Sequence, residues 1–263
     1  MTTPYETLII ERAGPVATVK LNRPDKRNSI GGPMMVELHA VLNDIATDQT
    51  TRVLVLRGEG ADFCPGADVK HYGGADARPA SSAWSSLRTF DVAVLLHEMP
   101  AVTIAAISGA CAGAGFGWAC ACDLRVASQT ARFNSAFLDV GVAGDMGGPW
   151  TLPRILGAAK ARELYMLTGR FDAAEAHRIG LVSRLFAADA FEDGVDEIAT
   201  KLVNTAPIAL RSMKANFLDA ERLPLRDFID LETARHIASG RSEDSREAFR
   251  AFVEKRTPVF NGR

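Results

Sequence analysis

Two periods of apolar and polar positions run along this chain, and each change of period marks an element. YETLIIER (5–12) and PVATVKLN (15–22) flank Ala13 and Gly14, a pattern that predicts an antiparallel hairpin. Pro33 stands where a helix can begin, and Met34, Leu38, Val41, Leu42 and Ile45 then recur at helical spacing. The pattern restarts with TRVLVLRG (51–58), read as a buried strand, and Leu87, Phe90, Val94 and Leu95 fall on one face of a helix over 86–98. VTIAAISG (102–109) is strand again, and a helix over 115–121 leads to the strand DLRVAS (123–128).

The stretch from Tyr72 to Ser86 is rich in Ala, Ser, Gly and Pro and reads as a mobile loop beside a pocket, a candidate lid. From about 150 onward the period is helical: GAAKARELYML (157–167), AAEAHRIG (173–180), an acidic helix near 190–203, then 207–221, 225–239 and 243–255. Strand formers return only at LVSRLF (181–186). A strand-rich first part and a helix-rich end predict an α/β chain, a spiral of β-β-α units followed by a helical C-terminal region.

At 263 residues the chain suits one domain with an appendage, with 47% hydrophobic and 24% charged residues. A net charge of -2 and the absence of a basic, aromatic-interleaved stripe give no support to nucleic acid or an anionic membrane as partner. The opening MTTPYETLII lacks the basic and long apolar regions of a secretory signal, so a cytoplasmic location is expected. Cys64, Cys111, Cys120 and Cys122 lie mostly in the apolar, glycine-rich stretch, where reduced thiols are expected. The Cys120 to Cys122 spacing is not that of a zinc site, and no metal is expected.

Three segments carry candidate chemistry. FCPGAD (63–68) and SGACAGAGFG (108–117) are glycine-rich turns after apolar runs, which bring backbone N–H groups to a pocket where a pair can hold an oxyanion. DVGVAGDMGG (139–148) sets Asp145 among small apolar residues, where poor solvation makes a carboxylate a plausible proton carrier. Asp145 also stands where it can cap a helix beginning near Gly147. Asp139 is read as a structural hydrogen-bond acceptor, Asp123 as fixing a turn or strand start, and His71 as a loop residue. No Gly-x-Ser-x-Gly elbow occurs.

VKLNRPDKRNSI, FCPGADVK, AAISGACAGAGFGWACACDLRVAS, GGPWTLPRILG, RIGLVSRLF and the ending AFVEKRTPVFNGR together resemble the enoyl-CoA hydratase/isomerase (crotonase) superfamily. The resemblance runs from about Tyr5 to the end. It implies a crotonase-like spiral core over 1–195, a C-terminal trimerisation region over 196–263, an acyl-CoA substrate with no prosthetic group, and a homotrimer or dimer of trimers. By position it assigns the oxyanion donors to Ala67 and Ala114, where the family has glycine at the latter. Coenzyme A contacts fall on Lys26, Arg27, Pro65, Gly66, Ala67, Asp68 and Lys70, with Phe252 and Lys255 reaching in from the terminal helix, and the acyl pocket on Phe116, Gly117, Phe137 and Gly141.

Hydratases of the superfamily resemble one another in carrying two glutamates that handle water, and the matching positions here are Gly117 and Phe137, neither of which moves a proton. Asp145 remains, in a context resembling superfamily isomerases and dehalogenases. The leading expectation is therefore an enoyl-CoA isomerase. A hydratase with a non-standard acid/base set, a hydrolase or dehalogenase-like enzyme with Asp145 as nucleophile, and a non-catalytic acyl-CoA binding protein are the alternatives. Trp84, Phe90, Phe116, Trp118, Phe137 and Trp150 are core or pocket aromatics, and Phe137 favours a hydrophobic or ring-bearing acyl chain.

Overall fold

The computed structural model describes residues 5–68 and 87–263. The hairpin forms as β1 (Leu8–Ala13) and β2 (Val16–Leu21), antiparallel with Leu8 opposite Leu21. Four parallel strands extend it: β3 (Val53–Gly58), β4 (Val102–Ile107), β6 (Leu124–Ser128) and β9 (Arg184–Phe186), in the order β1-β2-β3-β4-β6-β9. The expected loop at 72–86, with Trp84 and His71, lies outside the described residues.

Both faces of this sheet are covered, which is why β3 reads as an unbroken apolar run. Leu54 and Leu56 point into one core with α1 (Met34–Thr47), whose buried stripe is Met34, Leu38, Val41, Leu42 and Ile45. Val53 and Val55 point to the opposite face, where they meet Ile104, Ala106 and Val126. That second face is closed by Phe191, Val195 and Ala199 of a helix at Phe191–Val203. This helix spans the expected division at 195/196, with residues from both sides of it in one cluster.

The segment at 86–98 departs from expectation. A 3-10 turn at Leu87–Asp91 precedes α2 (Val92–Glu98) and shifts the helical phase, so Val92, Ala93 and Leu96 are buried while Val94 is 48% exposed. A second, small sheet is also unexpected: β5 (Ala110–Ala112), β7 (Arg132–Asn134) and β8 (Phe171–Asp172), in the order β5-β7-β8. It leads into α3 (Ala114–Ala121), which is buried on every side and carries the second glycine turn at its start.

The helices that follow are α4 (Gly148–Leu156), α5 (Ala158–Met166), α6 (Ala173–Arg178), α7 (Phe191–Val203), α8 (Pro207–Ala220), α9 (Leu225–Gly240) and α10 (Glu243–Glu254). Lys214 fastens α8 to the sheet: its buried Nζ donates to Asp123 Oδ2 at 2.7 Å and to the Ala101 carbonyl at 2.8 Å. Asp123 Oδ2 also accepts from Thr103 N at 2.7 Å, the structural role expected of it. α9 has no buried residue, and Phe249, Phe252 and Val253 of α10 are exposed. No helix among the described residues is long and apolar enough to cross a membrane.

Candidate active site

The first glycine turn is held between two neighbours. Cys64 N donates to the Ala110 carbonyl and Ala112 N to the Cys64 carbonyl, while Ile30 N donates to the Gly66 carbonyl and Asp68 N to the Ile30 carbonyl. Gly66 N donates to the Cys64 sulfur at 3.4 Å, and among the described residues the Ala67 N–H donates to no protein group. Gly66 has φ +91, and a Cβ there would stand 3.0 Å from the Ala112 oxygen and 3.4 Å from Ala114 N, so only glycine lets the two turns close.

Ala114 is the first residue of α3, a position whose N–H has no partner within its own helix. It takes ordinary helical backbone, so its Cβ carries no conformational penalty. The turn into the helix falls on Gly113, at φ +52. Ala67 and Ala114 thus present two free amides on adjoining turns, both suited to an oxygen that gains charge.

One turn along α3, Gly117 abuts the loop that carries Asp145. A Cβ on Gly117 would lie 2.6 Å from Met146 Cβ and 3.3 Å from the Met146 oxygen, so the loop occupies the space that a glutamate there would need. Phe137 fills the second position, its ring 3.3 Å from where Gly144 would carry a Cβ. Gly141 is an exposed turn residue at the end of the 3-10 turn Leu138–Val140.

Burial pushes the Asp145 carboxyl from its usual 3.8 up to about 6, and its Oδ1 is buried without a hydrogen-bond partner. It does not cap α4: Gly147 holds that position, and no side chain bonds there. Met146 beside it has φ +54, a left-handed conformation uncommon outside glycine, which turns the loop and sets the direction of Asp145. Asp139 is engaged elsewhere, accepting from Thr168 Oγ1 and, at 3.4 Å, from Asn134 Nδ2.

Sequence reasoning missed Tyr165, in the last turn of α5, which it read only as part of a helix. Its ring stacks on Phe137 with centroids 6.4 Å apart and planes 7° from parallel. Its Oη stands 1.6 Å from the place a Cβ on Gly148 would take and has no hydrogen-bond partner. Burial, then the nearby Cys120 and Asp145, push the phenol well above its usual value, so it remains a donor at neutral pH. Of the other aromatics, Phe116 and Trp118 are buried, whereas Trp150 is partly exposed under the Arg154 guanidinium, 3.7 Å from its ring centre.

The coenzyme A candidates are brought together in part. Arg27 and Pro65 line a cavity of about 670 Å³ with Arg132, Asn134, Asp139 and Arg170. Arg27 also donates through Nε and Nη2 to Asp62, at 2.8 and 3.0 Å, and Asp68 pairs with Arg23 at 3.3 Å. Lys26 is exposed at the end of the 3-10 turn Pro24–Lys26, and Lys70 lies outside the described residues. Phe252 is 84% exposed on α10 and Lys255 ends that helix, and no hydrogen bond or ion pair joins either to the turn at 65–68.

The enoyl-CoA hydratase/isomerase family model matches residues 11–263 of the chain. The chain is 33% identical over 250 residues to 1,2-epoxyphenylacetyl-CoA isomerase of Escherichia coli K12, covering 94% of this chain and 95% of that protein. It is 32% identical over 263 residues to carnitinyl-CoA dehydratase of Citrobacter koseri, covering 98% and 99%. The crystal structure of an enoyl-CoA hydratase from Bacillus anthracis matches with a TM-score of 0.91 at 29% identity, covering 98% of this chain and 100% of that one. The two-sheet architecture with its helical end is the crotonase fold. The chain belongs to the enoyl-CoA hydratase/isomerase family and is an acyl-CoA enzyme of that family.

Proposed function

We propose that this chain moves the double bond of an enoyl-CoA through an enolate held by the Ala67 and Ala114 amides, with Asp145 as proton carrier. The observation that carries the reading is the direction of the Asp145 shift. Where ion pairs or hydrogen bonds hold Asp62, Glu192 and Glu247 below their usual values, burial alone drives Asp145 up. A carboxyl titrating near about 6 is ionised at neutral pH and still basic enough to take a proton from carbon, then return it to another carbon. One carboxylate suffices for that cycle. The E. coli relative is named as an isomerase of an epoxyphenylacetyl-CoA, which supports isomerase chemistry in general.

Water addition needs an acid and a base, and the glutamate positions hold Gly117 and Phe137. The relatives named hydratase or dehydratase keep that reaction as the second reading. Turnover of 3-enoyl-CoA and 2-enoyl-CoA by the wild type and Asp145→Asn, with migration and hydration followed separately, decides between them. Migration lost in the variant supports the isomerase, and hydration that survives it overturns the assignment. A covalent adduct trapped on Asp145 would establish it as a nucleophile, and coenzyme A binding without turnover would mark a binding protein.

Lys26, Arg27 and Lys70 are proposed phosphate contacts, Pro65 and Ala67 adenine contacts, and Phe116, Phe137 and Gly141 acyl contacts. The exposed apolar residues of α10 support a C-terminal trimerisation role in which Phe252 and Lys255 reach a neighbouring subunit's coenzyme A.

A further inference from the structure

We infer that Cys64 is a positioning residue for the oxyanion hole, its sulfur acting as the spacer that sets how the Ala67 and Ala114 amides stand relative to each other. The inference rests on the reading of those amides as the enolate's donors and adds a side chain that holds them in place. Cys64 is fully buried between the two turns. On one side its Sγ accepts from Gly66 N at 3.4 Å, the amide next to that of Ala67. On the other side stands Gly115, the residue after Ala114. A Cβ on Gly115 would lie 2.7 Å from Cys64 Cβ and 2.9 Å from Sγ, so the thiol takes the space that a side chain in the first turn of α3 would need. One sulfur thus lies against the neighbour of each amide.

The main chain is anchored on both sides of this sulfur. Cys64 bridges Cys111 of β5, with Cys64 N donating to the Ala110 carbonyl at 2.8 Å and Ala112 N to the Cys64 carbonyl at 2.9 Å, which ties down the strand that leads into α3. Beyond the turn, Ile30 N donates to the Gly66 carbonyl at 2.8 Å and orients the peptide that carries the Ala67 N–H. Gly66 N lies between these anchors, and the sulfur is its partner among the described residues. Burial pushes the Cys64 thiol up to about 12, so it stays protonated and serves as an uncharged spacer rather than a nucleophile. Loss of the sulfur leaves Gly66 N unpaired and a void beside Gly115, and both allow the two turns to shift. A misplacement of about 1 Å is enough to cost about a hundredfold in rate.

The test uses hexanoyl-CoA isotopically labelled at the thioester carbonyl carbon, a saturated ligand with no double bond to move. Isotope-edited infrared spectroscopy reads the carbonyl stretch of the bound thioester, and calorimetry its Kd. Hydrogen bonds from the two amides lower that stretch relative to free hexanoyl-CoA. Cys64→Ala and Cys64→Val lack the acceptor and change the spacing in opposite senses; each is expected to lose roughly half of the wild-type shift or more, with Kd within about threefold of the wild type. Cys64→Ser, close in size and still an acceptor, is expected to keep most of it. A purely structural thiol would lower the melting temperature of the variants and leave the shift intact, and that result overturns the role of Cys64 alone. A shift lost as fully in Cys64→Ser as in Cys64→Ala overturns it as well. No shift in the wild type overturns the oxyanion reading of Ala67 and Ala114, and this inference with it. Cys64→Ala and Cys64→Val each suffice where the other does not fold, and the outcome is independent of whether Asp145 carries the proton.

Discussion

Asparagine at position 145 keeps the size of the side chain and removes its charge, so Asp145→Asn separates two consequences of one burial. The carboxyl titrates near about 6 in the folded chain and near 3.8 when solvated. At about 1.4 kcal/mol for each tenfold change in proton affinity, keeping it ionised costs the fold about 3 kcal/mol above pH 7. The sign follows from the raised value. The folded chain holds this proton more tightly than the unfolded one, so the contribution is complete below pH 3.8 and is lost as pH rises through about 6.

Asparagine does not titrate, but its amide is also left short of partners, which returns about 1 to 2 kcal/mol. The variant is therefore expected to be more stable than the wild type by about 1 to 2 kcal/mol at pH 8, with the order reversed near pH 4. Urea unfolding of both proteins at one protomer concentration and at several pH values measures it. In the same proteins, double-bond migration is expected to fall about tenfold per pH unit below pH 6 in the wild type and at least a hundredfold in the variant. A stability difference that does not change with pH would refute the desolvation argument. Wild-type activity flat down to pH 5 would refute the role.

Four further outcomes test other parts of the structure. Ala114→Pro removes the amide at a helix position that accepts proline, and is expected to lower kcat about a hundredfold to a thousandfold while circular dichroism still shows the helix. Gly117→Glu, which places a glutamate where the resemblance puts one in the hydratases, collides with Met146 and is expected to lose about 1 to 3 kcal/mol by thermal unfolding without gaining hydration. Burial holds the thiols of Cys64, Cys120 and Cys122 up at about 12 and that of Cys111 well above its usual value, so a thiol reagent at pH 8 is expected to titrate none of the four until the chain unfolds. Lys214→Met leaves the Asp123 carboxylate without its ammonium partner and is expected to lower stability by about 2 to 4 kcal/mol in chemical denaturation.

Period and turn chemistry carried most of the architecture. The stripe from Met34 to Ile45 is legible because an uninterrupted helix preserves its phase, whereas the 3-10 turn at 87–91 advances the chain at a different angle and turned Val94 outward. β5, β7 and β8 are two or three residues long, too short for alternation to show, and they pair from segments far apart in the sequence. In the site, the two turns were legible in the sequence because glycines mark where the backbone must bend, and it was the family resemblance that singled out the amides at 67 and 114 within them. Asp145 was legible as a lone acid among small residues, but its freedom from a capping role depends on Gly147 taking that place. Tyr165 carried no such signal. A tyrosine in an amphipathic helix looks the same whether its hydroxyl reaches solvent or a buried wall, and only the packing of α5 against Gly148 distinguishes the two.

The two free amides of Ala67 and Ala114 are main-chain groups, positioned by strand bridges and a helix start rather than by side chains of their own. Short of proline, a substitution at either position leaves the N–H in the chain. On the proposed reading, charge stabilisation is therefore fixed in the scaffold, while the proton carrier is a single side chain on a separate loop. The two functions can change independently: moving a carboxylate from one wall of the pocket to another re-aims the proton at a different carbon without rebuilding the part that holds the enolate. In this chain, with Gly117 and Phe137 carrying no acid, the proposed reaction follows from where the single carboxylate of Asp145 stands.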